Sequence, residues 1–158
     1  MKSRRSLLNR GALFLAVLVL AGCASTGGPQ SVNVALTGAQ EVPPVNAAGS
    51  GTGTVTVNED RSVSATIRTQ NVNGVAAHIH EGAAGQNGPV IVPMKKTGEN
   101  EWSTDPGAKL SESQYESYKA GRLYLNVHTA QNKGGEVRGQ IRPSGGGSGG
   151  GMSGGSTY

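Results

Sequence analysis

Residues 75–90 read V-A-A-H-I-H-E-G-A-A-G-Q-N-G-P-V, and this stretch carries most of the fold prediction. It contains His78 and His80, two of the three histidines in the chain. Successive side chains of a β-strand point to opposite faces, so the two histidines share one face. The apolar residues that alternate with them share the other face; they are Val75, Ala77 and Ile79. The pattern predicts a strand with its apolar face toward the core and two imidazoles on the opposite side.

The third histidine repeats this arrangement in residues 123–129, which read L-Y-L-N-V-H-T. Leucine or valine occupies every second position from Leu123, and His128 stands among the residues that alternate with them. We therefore expect a second strand with its apolar side chains in the core and its histidine on the other face.

The same two-residue period recurs along residues 31–142, between turns rich in glycine, asparagine and proline. About seven short strands separated in this way predict an all-β fold, an antiparallel β-sandwich or barrel. One short helix is expected at residues 111–120, because Ser111 and Gln114 are spaced as a capping box and Gly121 follows as a stop. We interpret residues 31–142 as one domain and residues 143–158, rich in glycine and serine, as a disordered tail.

The beginning of the chain has the pattern of a secretion signal. Basic residues precede an apolar run at residues 11–21, which is too short to span a bilayer as a helix. The run ends in L-A-G-C, which resembles a bacterial lipobox with Cys23 as the lipidated residue. Residues 1–22 are therefore predicted to be a lipoprotein signal peptide, and residues 23–30 a lipidated tether.

Lipidation predicts a membrane partner and a location in the cell envelope. Because Ala24 rather than an aspartate follows the lipidated cysteine, we expect the outer membrane, with the domain facing the periplasm or the cell surface. Four of the fourteen basic residues lie in the signal, and ten then remain against ten acidic residues. A domain without excess positive charge does not attract the phosphates of nucleic acid, so no nucleic-acid partner is expected. Cys23 is the single cysteine, which excludes an intramolecular disulfide.

The three histidines are candidate metal ligands. If the strand of His128 lies beside the strand of His78 and His80, three imidazoles meet on the face away from the core. Imidazole suits copper, zinc, iron and nickel, and three protein ligands leave one position open for water or a substrate. Glu81, Asn126 and Glu136 are candidates for fixing the imidazole tautomers. The alternative interpretation is that the histidines hydrogen-bond to loop backbone and hold the loops in place.

Other chemistries are poorly supported. Residues 82–88 contain G-x-x-G-x-x-G, but Pro89 leads into a predicted strand, whereas a phosphate cradle needs the amides of a helix start. The chain has no G-x-S-x-G motif, and its one thiol is predicted to be lipidated, which argues against a serine or cysteine hydrolase. No catalytic residue is assigned, and the sequence leans away from an enzyme.

Four motifs in order resemble the CHRD domain, named from chordin. They are L-T-G-A-Q-E-V-P-P at residues 36–44, A-H-I-H-E-G at 77–82, G-Q-N-G-P-V at 85–90, and Y-L-N-V-H-T at 124–129 followed by G-E-V-R-G-Q-I at 135–141. The resemblance implies a β-sandwich domain that is common in secreted bacterial proteins. It implies no established activity for the bacterial members.

A more local similarity concerns H-I-H-E-G with its glycine-rich loop, and N-V-H-T with a downstream K-G-G. These segments are similar to the copper-ligand segments of copper-zinc superoxide dismutases. The similarity implies an immunoglobulin-like or superoxide-dismutase-like sandwich, with His78, His80 and His128 in the positions of copper ligands. Arg138 would then lie near the site as an anion-attracting charge. A bridging fourth histidine, a zinc-binding set and a disulfide are missing from this chain.

These observations together predict an envelope-anchored lipoprotein that binds a transition metal through three histidines, for metal handling or redox chemistry. Copper is the expected metal, with zinc as the alternative. The chief rival is a non-enzymatic module in which residues 40–44 and 82–89 bind an envelope protein partner. A superoxide-dismutase-like enzyme is a third hypothesis.

Overall fold

The computed structural model describes residues 31–143. The predicted signal peptide, Cys23 with its tether, and the predicted tail beyond Pro143 lie outside the described residues. Eight antiparallel strands form one closed barrel in the order β1-β2-β3-β6-β5-β4-β7-β8. The strands are β1 Ser31–Thr37, β2 Ser50–Val57, β3 Val63–Gln70, β4 Gly74–Glu81, β5 Val90–Gly98, β6 Glu101–Thr104, β7 Leu123–Thr129 and β8 Val137–Ile141.

The predicted all-β class is confirmed, and one strand was missed. β6 has only four residues, E-W-S-T, which is too short to show a period of two. Trp102 on β6 is 3% exposed and belongs to the core, as expected of a core anchor. It pairs with Ile67 of β3 on one side and with Lys96 of β5 on the other, so this short strand joins the two halves of the barrel.

The core lies inside the barrel and is built by alternation. Along β3 every second residue from Val63 is buried and the residues between are exposed. On β4 the alternation buries Ala77 and Ile79 completely, as predicted. Val75 does not follow it and is 63% exposed, because the register of β4 against β7 shifts between Gly74 and Ala76. The expectation that Val75 faces the core was wrong.

The predicted helix is confirmed as α1, Glu112–Lys119, packed across one end of the barrel. Both bonds of the capping box are present: the Gln114 amide donates to Ser111 Oγ, and the Ser111 amide donates to Gln114 Oε1. Gly121 ends the helix with a φ of 67°, a conformation that glycine adopts without steric cost. No helix within residues 31–143 has the length and hydropathy needed to cross a membrane.

Part of the outer face of the barrel is buried under loops. Residues 38–49, 82–89 and 130–136 cover the outer face of β4, β7 and β8, and polar side chains beneath them are shielded from solvent. Asn126 and Arg138 are each 1% exposed although they point away from the core. The loops are also tied to one another, since Asn87 Nδ2 donates to the Val42 carbonyl at 2.7 Å. This covered outer face contains all three histidines.

Candidate metal centre

Neighbouring strands bring the three histidines together. β4 carries His78 and His80, and β7, which pairs with β4, carries His128 opposite Ala76. Since β4 and β7 are hydrogen-bonded neighbours, His128 is diagonal to His78 on the same face. One nitrogen from each ring lies within 4.8 Å of the corresponding nitrogens of the other two. The strand pairing on which a three-imidazole site depends is therefore present.

The rings lie close together without stacking on each other. The centroid of His78 is 5.5 Å from that of His80 and 4.9 Å from that of His128, and His80 and His128 are also 5.5 Å apart. The rings are inclined to one another by 45° to 74°. His78 and His80 meet edge to face and the other two pairs are tilted, so no two of these rings stack face to face.

Backbone carbonyls determine which nitrogen of two rings carries the proton. His80 Nδ1 is 3.0 Å from the Gly88 carbonyl oxygen, and His128 Nδ1 is 3.0 Å from the Lys133 carbonyl oxygen. A carbonyl oxygen only accepts, so both Nδ1 atoms donate and each Nε2 keeps its lone pair. These two carbonyls, rather than the predicted polar side chains, orient the rings.

Three imidazole nitrogens are buried and have no hydrogen-bond partner within the described residues. They are His78 Nδ1, His80 Nε2 and His128 Nε2. A buried polar atom without a partner costs roughly 1–3 kcal/mol, and such atoms are rare in folded proteins. The three histidines form one cluster that could hold a metal ion, and the hydrogen bonds of His80 and His128 leave the free nitrogen of each with its lone pair.

Burial keeps the histidines neutral. Desolvation, with smaller contributions from His128 and His80, lowers the pKa of His78 from 6.5 to about 4. Burial also lowers the pKa of His80 and of His128, although the backbone bond of each ring acts in the opposite direction. Neutral imidazole is the form that binds metal, so at neutral pH the cluster needs little deprotonation before a metal ion binds.

Tyr124 holds the loop that orients His80. Its ring stacks on His80 with the centroids 4.9 Å apart and the planes inclined by 12°. The Gly88 amide donates to Tyr124 Oη at 3.1 Å, so the residue whose carbonyl binds His80 is itself attached to β7. Glycine is needed at this position, because a Cβ on Gly88 would overlap the carbonyl group of Glu81.

Asn126 and Arg138, two of the four residues predicted to surround the histidines, lie beneath the loops that cover the site. Asn126 is opposite His78 in the β4–β7 ladder, and its Nδ2 donates to the Gly134 carbonyl at 3.4 Å. The guanidinium carbon of Arg138 lies 3.5 Å from the ring centroid of Tyr124. Arg138 Nη2 also donates to the Ala83 carbonyl at 3.0 Å, which ties the loop of residues 82–89 to β8.

The two predicted glutamates have other neighbours. Glu81 accepts a hydrogen bond from Ser117 Oγ at 2.6 Å and so holds α1 against β4. Glu136 Oε2 accepts from Asn132 Nδ2 at 3.3 Å, within the turn that supplies the Lys133 carbonyl. Glu136 therefore supports the orientation of His128 through the loop, and neither glutamate makes a hydrogen bond to a histidine within residues 31–143.

Glu41 was not predicted as a site residue. It is 4% exposed, and burial raises its pKa from 4.5 to about 7 against the opposing effects of Arg138 and of a hydrogen bond from Asn126. Its Oε2 accepts from Asn126 Nδ2 at 3.5 Å, while Oε1 has no partner within the described residues. The residue stands between a glutamine and the V-P-P segment, so no period or spacing marked it as buried.

Comparisons with known proteins agree with this domain. The family model of the CHRD domain matches residues 32–141, which include all three histidines and all of the barrel strands except Ser31, the first residue of β1. No curated protein and no solved structure matched the chain. Because the matched segment covers more than half of the chain, the protein belongs to the CHRD domain family.

Proposed function

We propose that this CHRD domain binds one copper ion through His78 Nδ1, His80 Nε2 and His128 Nε2, and that the protein handles this metal in the cell envelope. The observation that carries the proposal is the convergence of three buried imidazole nitrogens without hydrogen-bond partners. A bound ion would satisfy all three at once, and no hydrogen-bond donor within the described residues reaches any of them.

Copper is supported by the donor set and by the resemblance of the histidine segments to the copper-ligand segments of superoxide dismutases. Imidazole is a good ligand for copper and for zinc, so zinc is the competing ion in the test. Three protein ligands leave a coordination position for an outside molecule, and His78 and His128 are only partly buried. Metal storage or transfer and redox chemistry both need such an open position.

Anchoring to a membrane is part of the proposal. It is supported by the signal-like beginning of the chain and by the L-A-G-C pattern at Cys23. A lipid on Cys23 would keep the domain at the surface of a membrane, with a short tether before β1. In bacteria with two membranes the proposed location is the outer membrane, facing the periplasm or the cell surface.

A second candidate function is a protein-interaction module whose histidines hold loops in place. The hydrogen bonds from His80 to Gly88 and from His128 to Lys133 favour it, because each ring binds one of the covering loops. The free nitrogens discriminate between the two functions. A ring that serves only as a loop anchor has no use for a second, buried nitrogen without a partner.

Metal titration of the full-length chain in detergent tests the proposal. His78→Ala is the informative variant, because His78 makes no hydrogen bond to the loops and its removal leaves them attached. Ser64→Ala, at an exposed position on β3, is the control. An ion at 100 times its dissociation constant stabilises the folded state by about 2.7 kcal/mol. For a domain of this size that is a rise in Tm on the order of 10 °C.

We expect the wild type and Ser64→Ala to bind one equivalent of copper with this rise in Tm, and His78→Ala to lose both. Equal binding by all three proteins, or binding by none, would contradict the proposal. Superoxide turnover of the copper-loaded protein separately tests a dismutase-like activity.

A further inference from the structure

The ligand set of the proposed copper site carries no negative charge. Within residues 31–143 the cluster consists of three imidazoles, with neither a carboxylate nor a thiolate among the converging groups. A ligand histidine donates its second N–H to a carboxylate, a backbone carbonyl or water, and of these only a carboxylate offsets the charge of the ion. The imidazole ligands alone therefore leave the full charge of a bound ion uncompensated.

The groups behind the histidines are also uncharged. Each of the two oriented rings donates its Nδ1 proton to a backbone carbonyl, Gly88 for His80 and Lys133 for His128. Glu81 and Glu136, the nearest glutamates along the chain, bind Ser117 and Asn132 instead. A carbonyl dipole orients a ring as well as a carboxylate does, but it compensates less of the charge of a metal ion.

A buried positive charge lies one side chain away from the cluster. Arg138 is 1% exposed and contacts the ring of Tyr124, which in turn stacks on His80. Its guanidinium donates to the uncharged oxygens of Ala83, Asn87 and Gln140. The one carboxylate that is coupled to Arg138 is Glu41, which is hydrogen-bonded to Asn126 and not to a histidine. The field at the cluster therefore disfavours cations, in proportion to their charge.

The penalty grows steeply with the charge of the ion. Arg138 repels a divalent ion twice as strongly as a monovalent ion at the same position. The free-energy cost of removing the ion from water rises with the square of its charge. A divalent ion in this site would have to bring an anion with it to offset these terms. Cu(I) forms stable two- and three-coordinate complexes with neutral nitrogen donors and does not need one.

We propose that the site selects Cu(I) over divalent ions, so that the cargo of this domain is monovalent copper. This inference rests on the proposed copper-binding function and specifies the ion. It also assigns a role to Arg138, as a buried positive charge that biases the neighbouring ligand cluster against divalent ions.

Affinities measured with metal-competing chelators test the selection. The full-length chain in detergent is titrated anaerobically with Cu(I), with Ag(I) as a monovalent probe that is not redox-active, and separately with Cu(II) and Zn(II). We expect Cu(I) to bind at least tenfold more tightly than Cu(II). Such a ratio places the reduction potential of bound copper at least 59 mV above that of the aqueous couple, since 59 mV corresponds to tenfold for one electron.

A new surface charge tests the electrostatic cause. Val90 of β5 is 48% exposed and is the partner of His80 in the β4–β5 ladder, beside a register shift, so residue 90 offers an exposed position across from one of the three histidines. Val90→Glu adds a carboxylate there, and Val90→Gln is the matched control of nearly equal size. We expect Val90→Glu to reduce the preference for Cu(I) over Cu(II) about tenfold and Val90→Gln to leave it unchanged.

The outcomes separate the two proposals. If no ion binds, the proposed copper function fails, and this inference fails with it. If Cu(II) or Zn(II) binds with an affinity equal to or above that of Cu(I), the selection is overturned while metal binding stands. If Val90→Glu and Val90→Gln change the preference equally, the charge of the site is not its cause and the inference is overturned on that ground.

Discussion

Replacing Glu41 by glutamine should change how the stability of the protein depends on pH. Glu41 is a carboxyl group that is 4% exposed, and burial raises its pKa from 4.5 to about 7. Glutamine has nearly the same shape and keeps an oxygen for the hydrogen bond from Asn126, but it has no proton to lose. The substitution therefore removes the titration of this group and leaves the packing beneath the loops in place.

The sign of the effect follows from proton binding. Because the pKa is higher in the folded than in the unfolded protein, the folded state binds more protons between pH 4.5 and pH 7. The stability of the wild type therefore falls relative to that of Glu41→Gln as pH rises through this interval, and the difference is constant outside it. A pKa unit corresponds to 1.36 kcal/mol, so the shift from 4.5 to about 7 amounts to about 3 kcal/mol.

Urea denaturation of the metal-free proteins between pH 4 and pH 8 measures this difference. His78 changes the stability in the opposite sense, because its lowered pKa of about 4 makes the folded state bind fewer protons than the unfolded state below pH 6.5. That contribution is common to both proteins and cancels in the comparison. A difference between wild type and variant that does not change with pH would refute the reasoning. An increase in wild-type stability relative to that of Glu41→Gln with rising pH would show that attraction to Arg138 outweighs burial.

Three further predictions concern the loop, the helix and the lipid. Gly88→Ala should weaken copper binding at least tenfold in chelator competition. The new Cβ would overlap the carbonyl group of Glu81 and so displace the Gly88 carbonyl, which orients His80. Gly134→Ala is the control and should bind copper like the wild type, because a Cβ there meets no atom within 4 Å. Ser111→Ala should lower the free energy of unfolding by about 1 kcal/mol in urea denaturation, since it removes the side-chain acceptor of the capping box, and an unchanged midpoint would contradict that role. Cys23→Ser should abolish incorporation of labelled palmitate and move the protein out of the membrane fraction, whereas labelling of the variant would disprove the predicted acylation site.

Local patterns were sufficient for much of the fold. The two-residue period identified seven of the eight strands, and it placed His78 and His80 on the face opposite Ala77 and Ile79. The capping box and the glycine stop located the helix to within a residue. Each of these signals lies within a few neighbouring residues, where side-chain direction and backbone conformation are determined by local geometry.

Local sequence patterns did not predict the features that depend on strand pairing. Met94 is a soft thioether donor close to the histidines in the sequence, but it is opposite Ala77 and 7% exposed in the core, on the other side of the sheet from the histidines. Val75 has the residue type and the spacing of a core position, and only the register shift at the start of β4 exposes it. An irregularity in pairing leaves no trace in the composition of one strand.

The sequence by itself determined that the protein is an all-β domain of the CHRD type whose three histidines face away from the core. It also excluded thiolate ligands from the described domain, because residues 31–143 contain no cysteine. Only the tertiary structure decided that the three rings meet, which nitrogens remain free, and that Glu41 lies beneath the loops against Asn126, 85 residues away in the chain. The physical reason is that side-chain direction follows from local backbone geometry, whereas convergence, tautomer and burial depend on contacts between distant segments.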